Sequence, residues 1–437
     1  MKVEISTLVN RALSGVMPVL SLRGADDLAR EGGDLDFIVP SGLAVSACSV
    51  VAKAAQSEGF FLAGFRDIGY LAQIILIRPV PGGLDDALKI DFFDGLRWYG
   101  VGSDVAGHRL FNSVLPLQGI ESKLSGAASF FQKILIVGCE SERDWARVVS
   151  TGANETYLAE IAEALCLPIT RAQIGVRGVT GVDKWLLRAA SGGVRGPVSA
   201  LVWFLRAAAA HLKFKLGTGT GMGLLLGVSG LDGSGKSTLV DRFIDTYRKA
   251  GGVEPQLVHL LPSWIPTPHQ IFRRHKTKSN YTRPYAEPPV SSRLSGGLRL
   301  AFYLCAFAFA RLSLWVGMKR GRLIILDRSF LDFASDLTRA RIQARRLPDW
   351  LLRMMMPSGL LFYLDATPEA VVARKGELTL EKAFKLRMSY LDTCKTIGAK
   401  LLNSDETPDA VFRELLSHVS QEYMRRIDAV VARKREC

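Results

Sequence analysis

A glycine-rich turn between residues 223 and 243 carries the residue types that hold a phosphate chain. In "GLLLGVSGLDGSGKSTLVDRF", Gly230, Gly235, Lys236 and Ser237 have the spacing G-x-x-x-x-G-K-S/T. In such a turn backbone N–H groups surround phosphate oxygens, the lysine reaches the β- and γ-phosphates, and the hydroxyl binds Mg²⁺. The apolar run before the turn predicts a buried strand. The residues after it predict a helix, whose N-terminus attracts anions. The sequence therefore predicts a nucleotide site with a magnesium ligand.

A second apolar run ends in an acidic and a basic residue. "RLIILDRSF" predicts a buried parallel strand over 323–326, with Asp327 at its carboxyl end. Ligands bind at that end of the strands in open α/β sheets. We expect Asp327 to hold the magnesium shell and Arg328 to meet a second phosphate. A helix cap is the alternative role for Asp327.

A third apolar run, "GLLFYLDA", predicts a further strand that ends at Asp365. Thr367 and Pro368 follow, and they are the residue types of a helix N-cap and of a first helical position. Arg374 and Lys375 lie at the end of this predicted helix. We expect them to form a basic flap over the transferred phosphoryl group.

The stretches "GLDGSGKST", "IILDRSF" and "LLFYLDATPEAVVARK", in this order and spacing, resemble the thymidylate kinase family of P-loop nucleotide kinases. The resemblance covers about residues 221–430. It implies ATP and Mg²⁺ as cofactors and γ-phosphoryl transfer from ATP to an acceptor. It also implies that the catalytic residues are Lys236, Asp327, Arg328 and the lid residue Arg374. The ATP-binding residues that it implies are Gly230, Gly233, Ser234, Gly235, Lys236, Ser237 and Thr238.

Three segments differ from that family. Ser229 stands where the family has an acidic residue, residues 259–289 replace its "EPGG" loop, and "FLDFASDLTRARIQ" follows the Asp-Arg pair. Because these segments hold thymidylate in the family, we expect dTMP to be a poor acceptor. The replacements resemble a divergent branch of thymidylate kinase-like proteins that is often associated with surface-polysaccharide synthesis. The basic residues of the new loop form either an anionic acceptor site or a solvated surface; they are Arg273, Arg274, Lys276, Lys278 and Arg283.

Three carboxylates in the first hundred residues have a spacing suited to metal ions. "SLRGADDLAREGGDLDFIVP" places Asp34 and Asp36 on one face of a predicted strand, and "ALKIDFFDG" adds Asp91 from another. Such a set can clamp divalent ions around a triphosphate. The pattern resembles the polymerase-β type of nucleotidyltransferase, but Arg23 and Gly24 stand where that family has Gly-Ser or Gly-Gly. An active transferase, an inactive module of the same fold and a pair of surface aspartates are the three alternatives.

The length of the chain and the distribution of its charge indicate how its domains are organised. Its 437 residues predict two or three domains. Residues 1–160 have 14 basic and 19 acidic residues, whereas 161–437 have 42 and 23. The basic second part therefore suits phosphate-rich partners. No nucleic-acid partner is expected.

Cysteine usage and hydropathy indicate where the protein works. The six cysteines have no metal-like spacing, and no apolar h-region follows the first basic residue. Both features predict a cytoplasmic protein. The longest apolar run, 300–310, is too short to span a bilayer. It predicts a core helix, with peripheral membrane contact as the alternative.

Together these patterns predict an α/β protein. We expect a nucleotidyltransferase-like α+β domain over 1–140, a helical connector over 141–220, and a P-loop kinase domain over 221–437 with a parallel sheet flanked by helices. The predicted function is an ATP-dependent kinase that phosphorylates a small anionic acceptor, such as a nucleoside monophosphate or a sugar phosphate. One alternative is a nucleotidyltransferase whose P-loop domain senses ATP. The other is a scaffold that binds ATP without phosphorylating a small molecule.

Overall fold

The chain forms two five-stranded sheets joined by layers of helices. We call them the N-terminal sheet and the P-loop sheet. A computed structural model describes residues 1–22, 34–82, 84–98, 101–118, 122–136, 142–175, 178–179, 183–216, 223–259, 293–338, 342 and 346–436.

The N-terminal sheet is mixed. Its strand order is β1-β2-β5-β4-β3, and only β2 and β5 run parallel. The parallel register brings Asp36 beside Asp91. A two-stranded ribbon, β6 and β7, follows later in the chain. The strands are β1 (Leu20–Ser21), β2 (Leu35–Val39), β3 (Phe61–Asp67), β4 (Leu71–Arg78), β5 (Asp86–Asp94), β6 (Ile174–Gly175) and β7 (Gly178–Val179).

The P-loop sheet is parallel throughout. Its order is β12-β11-β8-β10-β9, and all four neighbouring pairs run in the same direction. Helices cover both faces, which explains why its central strands read as unbroken apolar runs. The predicted α/β class with a flanked parallel sheet is confirmed. The strands are β8 (Leu225–Gly230), β9 (Gln256–His259), β10 (Ile324–Asp327), β11 (Leu360–Asp365) and β12 (Lys400–Asn403).

Helices connect the strands and form the layers between and outside the sheets. In the first half they are α1 (Lys2–Leu13), α2 (Ala44–Ser57), α3 (Val105–Arg109), α4 (Leu115–Gln118), α5 (Ser122–Ile136), α6 (Glu142–Ser150), α7 (Glu155–Ala164), α8 (Lys184–Ser191) and α9 (Pro197–Leu216). In the second half they are α10 (Lys236–Lys249), α11 (Arg293–Lys319), α12 (Phe330–Ser335), α13 (Asp349–Met355), α14 (Pro368–Lys375), α15 (Leu380–Ile397) and α16 (Pro408–Glu436).

One hydrophobic core extends between the two sheets. It contains Phe92 of the N-terminal sheet, Phe243 of α10, Phe412 of α16 and Phe362 of the P-loop sheet, all almost fully buried. Helices α10 and α16 thus pack between the sheets and contact both. The apolar spacing over 411–419 predicts a packing helix, and α16 confirms it.

Each sheet has a further core on its outer face. The outer core of the N-terminal sheet includes Ile38 of β2, Phe131 of α5 and Leu158 of α7. Residues of the predicted connector therefore share a core with residues of the predicted N-terminal domain. The outer core of the P-loop sheet lies under α11, α12, α13 and α15.

Helix α11 differs from the core helix expected over 300–310. It is 27 residues long, and part of it is long and apolar enough to cross a membrane by length and composition. Only 28% of that apolar window is buried. Phe307 and Leu314 pack inward, whereas Phe309 and Leu312 are exposed. The prediction of a core helix is therefore correct for one face only.

Several predicted features lie outside the described residues. They are Arg23 and Gly24 of the N-terminal pattern, and the basic residues Arg273, Arg274, Lys276, Lys278 and Arg283.

Candidate functional site

The phosphate loop leads from β8 into α10. Gly233 and Gly235 have φ angles of 99° and 90°, in the left-handed region that favours glycine. A Cβ atom on Gly230 would lie 2.7 Å from Ser234 Oγ and 3.0 Å from Leu364 O. These three glycines therefore allow the tight curl of the loop between β8 and α10.

The lysine of the loop is buried inside the turn. Lys236 Nζ donates to the carbonyl oxygens of Gly230 at 2.6 Å and Leu231 at 2.8 Å. Burial lowers the pKa of the Lys236 ammonium, although Asp332 and Asp232 oppose the shift. Ser237 is exposed in the first turn of α10. Its role as a magnesium ligand stays a prediction.

The Asp-Arg pair lies on the strand next to the loop. Asp327 ends β10, and the parallel register sets it opposite Val228 of β8. Its Oδ2 is 2.9 Å from Nδ1 of His259, which ends β9. Sequence reasoning missed His259, because the adjacent position arises only from the parallel register of β9 and β10.

Arg328 has an unusual backbone conformation. Its φ angle is 69°, which a non-glycine residue rarely adopts. Its Nη2 donates to Asp232 Oδ1 at 2.6 Å, so the guanidinium contacts the phosphate loop itself. A backbone conformation of this kind costs free energy and persists only where the surrounding structure holds it. Residues with such conformations cluster at functional sites. Asp232 was also missed from sequence, since it occupies a variable position of the P-loop motif.

The predicted lid residue, Arg374, also contacts the phosphate loop. Arg374 lies near the end of α14, and its guanidinium is 3.4 Å from Gly233 O and 3.3 Å from Ser404 O. Ser404 follows β12 and also donates to Ser234 O. Thr367 caps α14 by accepting from Ala370 N, which confirms the helix start predicted from sequence. The cap and the following helix place Arg374 beside the phosphate loop.

A network of hydrogen bonds around Asp332 lies next to the strand that leads into the phosphate loop. Ser229 Oγ donates to Asp332 Oδ2 at 2.6 Å, and Tyr390 OH donates to Asp332 Oδ1 at 3.0 Å. Asp332 also caps α12 by accepting from Ser329 N. Burial raises the pKa of the Asp332 carboxyl. An acidic group thus lies directly beside Ser229, the position where the thymidylate kinase family has its own acidic residue.

Asp365 has a structural partner. Both of its oxygens accept from Arg387 of α15, at 2.7 and 2.8 Å. This bidentate pair ties α15 to the end of β11.

The three carboxylates of the N-terminal sheet come together with a lysine. Lys89 Nζ is 2.6 Å from Asp34 Oδ2 and 3.5 Å from Asp91 Oδ2. Gln73 Nε2 donates to Asp91 Oδ1 at 3.0 Å. Burial, together with the charges of Asp36 and Asp34, raises the pKa of Asp91 to about 7, although Lys89 opposes the shift.

Lys89 therefore forms ion pairs with two of the three carboxylates that were predicted to hold metal ions. Among the described residues, no group of three or more histidine, cysteine, aspartate or glutamate side chains has the arrangement of a metal site. The metal role of Asp34, Asp36 and Asp91 stays a prediction.

The similarity of this chain to known proteins is limited. No protein-family model matches the chain, and no curated protein matches it. Among solved structures, it is similar to thymidylate kinase from Candida albicans, with 19% sequence identity and a TM-score of 0.33. The similarity covers 46% of this chain and 93% of that chain. The kinase-like fold of the second half is defined by its own parallel strand order and by the loop between β8 and α10.

Proposed function

We propose that this chain is an ATP-dependent phosphotransferase that moves the γ-phosphoryl group of ATP to a small anionic acceptor. The supporting observation is the convergence of three basic groups and one carboxylate around a single phosphate loop. Lys236 lies within the loop, Arg328 is bound to it through Asp232, and Arg374 contacts Gly233. Asp327 ends the adjacent strand.

Each group has a task in phosphoryl transfer, which asks the protein mainly for positioning and charge neutralisation. Backbone N–H groups of the loop and Lys236 would hold the β- and γ-phosphates. Ser237 and Asp327 would hold Mg²⁺, which would supply positive charge to neutralise the phosphates. Arg374 would stabilise the equatorial oxygens of the transferred group, and Arg328, which follows the strand on the other side of β8, would meet the acceptor phosphate.

The acceptor is proposed to be a nucleoside monophosphate other than dTMP, or a sugar phosphate. Arg328 supplies a cation for an acceptor phosphate. The segments that hold thymidylate in the resembling family are replaced in this chain, as Ser229 shows at the start of the loop. The resemblance to the branch associated with surface-polysaccharide synthesis supports a sugar-phosphate acceptor. A cytoplasmic location is part of the same proposal.

The test is ATP turnover by the full chain against a panel of acceptors that includes dTMP. We expect Lys236→Met to lower turnover about a hundredfold or more, because a charge aimed at the transferred phosphoryl group is lost. Methionine keeps the packing of this buried side chain. Lys249→Met, at the exposed end of the same helix, is the matched control and should keep full activity.

Two results would contradict the proposal. Turnover by a folded Lys236→Met variant equal to that of the unaltered chain would refute the loop assignment. Fast ADP formation with dTMP, and with no other acceptor of the panel, would refute the acceptor assignment alone.

A further inference from the structure

Among the residues that the structure describes, nothing covers one long apolar face of helix α11. Leu312 is 58% exposed and Trp315 is 51% exposed, although large apolar side chains are usually buried. The helix also exposes Leu294, Leu298 and Phe309. A contiguous exposed face of this kind marks a docking surface.

The opposite face of α11 is fixed to the P-loop sheet and its helices. Tyr303 packs 4.9 Å from Phe333 of α12, and Phe307 packs 4.9 Å from Phe330, measured between ring centroids. Leu314 is buried in the same core. A helix crossing a bilayer would have to give up these contacts. The geometry is instead that of a helix lying along a surface with its outer face toward the partner.

A neighbouring helix extends the exposed face. Arg311 Nη1 donates to Met354 O, which joins α11 to α13. Trp350 and Met354 of α13 are both exposed. We call the exposed apolar side chains of the two helices the apolar patch; its members are Leu294, Leu298, Phe309, Leu312, Trp315, Trp350 and Met354.

The charges of α11 and of the turn after it have one sign, whereas α13 begins with Asp349, which pairs with Arg346 at 2.8 Å. Residues 293–322 contain six basic residues and no acidic residue. Lys319 lies 5.6 Å from the ring centroid of Trp315, so a cation and an indole lie together at the end of the helix. Indole rings favour the boundary between lipid headgroups and acyl chains, and long basic side chains can reach from an apolar face to the headgroups. The basic residues are Arg293, Arg299, Arg311, Lys319, Arg320 and Arg322.

We propose that the apolar patch docks this protein on an anionic lipid bilayer, with α11 lying in the plane of the headgroups. Apolar side chains would enter the boundary region, and the basic residues would pair with anionic headgroups. A second copy of the chain is a poorer partner, because a symmetric contact centred on α11 would bring two basic helices together, and Asp349 of the neighbouring α13 is already paired with Arg346.

Docking in this way would place the lipid surface against a helix layer that neighbours the site described above. The side chains that hold α11 in place, Phe330 and Phe333, belong to the helix that begins two residues after Arg328. The docked face and the phosphate loop therefore lie on neighbouring layers of one packed unit. The proposal depends only on the surface of α11 and α13, and it stands whether or not the phosphotransferase assignment holds.

Vesicle co-sedimentation of the full chain tests the proposal. We expect binding to vesicles of phosphatidylcholine and phosphatidylglycerol in equal parts, and much weaker binding to phosphatidylcholine alone. The double variant Leu312→Ser, Trp315→Ser should bind the anionic vesicles at least about tenfold more weakly. The two substitutions remove apolar surface that would otherwise move from water into the bilayer on docking. The control Leu84→Ser removes an exposed leucine outside the apolar patch and should bind as the unaltered chain does.

A second pair of substitutions tests the charge. Lys319→Gln and Arg320→Gln should each weaken binding to anionic vesicles about fivefold and leave binding to neutral vesicles unchanged. Equal binding of the Leu312→Ser, Trp315→Ser variant and the unaltered chain would overturn the proposal. Failure of the folded, unaltered chain to bind anionic vesicles would overturn it as well. Light scattering provides a further check. A dimer that the double variant splits into monomers would identify a second copy as the occupant and would also overturn the proposal.

Discussion

Removal of one carboxylate between the two sheets should weaken the whole molecule. Asp85, just before β5, accepts from Arg242 Nε at 2.9 Å and Nη2 at 2.7 Å. It also accepts from Thr246 Oγ1 at 3.1 Å, and its side chain is only 4% exposed. We expect Asp85→Ala to lower the free energy of unfolding by about 3 kcal/mol, because removing the carboxylate leaves the Arg242 guanidinium without its buried counter-charge.

The magnitude follows from the number and burial of the bonds that are lost. Hydrogen bonds to charged groups contribute about 1.5–3 kcal/mol each when buried, and Asp85 makes two with Arg242. Arg242 keeps a third bond, to Asp409 at 2.7 Å, and stacks 4.3 Å above the ring of Phe412. Arg242 keeps these remaining contacts and is partly exposed, so each lost bond should cost a value near the lower end of that range. Two such bonds give the expected loss of about 3 kcal/mol.

Urea unfolding of the full chain, followed by circular dichroism, measures the effect. Asp409→Ala is the control, because Asp409 binds the same guanidinium but is 33% exposed, and we expect it to cost about 1 kcal/mol or less. A loss below 1 kcal/mol for Asp85→Ala would refute the reasoning. Two separate unfolding transitions in the unaltered chain would refute it as well, since they would show that the two sheets unfold independently.

The pH dependence gives an internal check on the same pair. Burial raises the pKa of Asp85, but hydrogen bonds from Arg242 and Val80 outweigh it and hold the pKa below its ordinary value. A carboxyl with a lowered folded pKa stabilises the protein above its unfolded pKa, and the benefit is lost as the pH falls through the folded pKa. The gap in stability between the unaltered chain and Asp85→Ala should therefore shrink below about pH 4.

Two further substitutions test strain and buried charge. Because Arg328 has a φ of 69°, Arg328→Gly should be more stable than Arg328→Ala by about 1 kcal/mol in urea unfolding, and equal stability would argue against backbone strain. The pKa of Asp91 is raised to about 7, so the unaltered chain should lose stability as pH rises from about 4 to 7, by up to about 4 kcal/mol, whereas Asp91→Asn should lose much less. Parallel stability curves for the unaltered chain and Asp91→Asn would contradict the assigned pKa.

The phosphate loop could be predicted from sequence because all of its determinants are local. Gly233, Gly235 and Lys236 lie within four residues, and the flanking strand and helix are contiguous with them. The Asp-Arg pair was predictable for the same reason, since an apolar run followed by a polar residue indicates the end of a buried strand. The cap at Thr367 belongs to this class too.

The partners of those residues could not be predicted, because they come together only through the strand order. Ser404 reaches Ser234 across 170 positions of the chain, and Asp332 reaches Ser229 across 103. Lys89 is a similar case: it lies two residues before Asp91, but its contact with Asp34 depends on β2 running beside β5. Serine, aspartate and lysine at such positions carry no sequence signal of their partner.

The packing between the two sheets was missed for a related reason. A helical apolar stripe predicts that a face is buried but does not identify the surface that buries it. The stripe of α16 reads as an ordinary packing helix, yet its Ser420 Oγ is 3.1 Å from Leu62 N of the N-terminal sheet. Asp428 of the same helix accepts from Ser49 at 2.9 Å and from Lys53 at 3.0 Å.

Helix α10 belongs to both halves of the molecule. At its N-terminus Lys236 lies in the phosphate loop, and six residues later Arg242 is bound to Asp85 of the other half. The rise of a helix is about 1.5 Å per residue, so the backbone positions of Lys236 and Arg242 are about 9 Å apart along the axis of one continuous helix. Tyr247, one turn beyond Arg242, is buried where a Cβ atom on Gly64 would lie 2.8 Å from its hydroxyl. The N-terminal sheet therefore fixes both the position and the rotation of the helix that carries the phosphate loop.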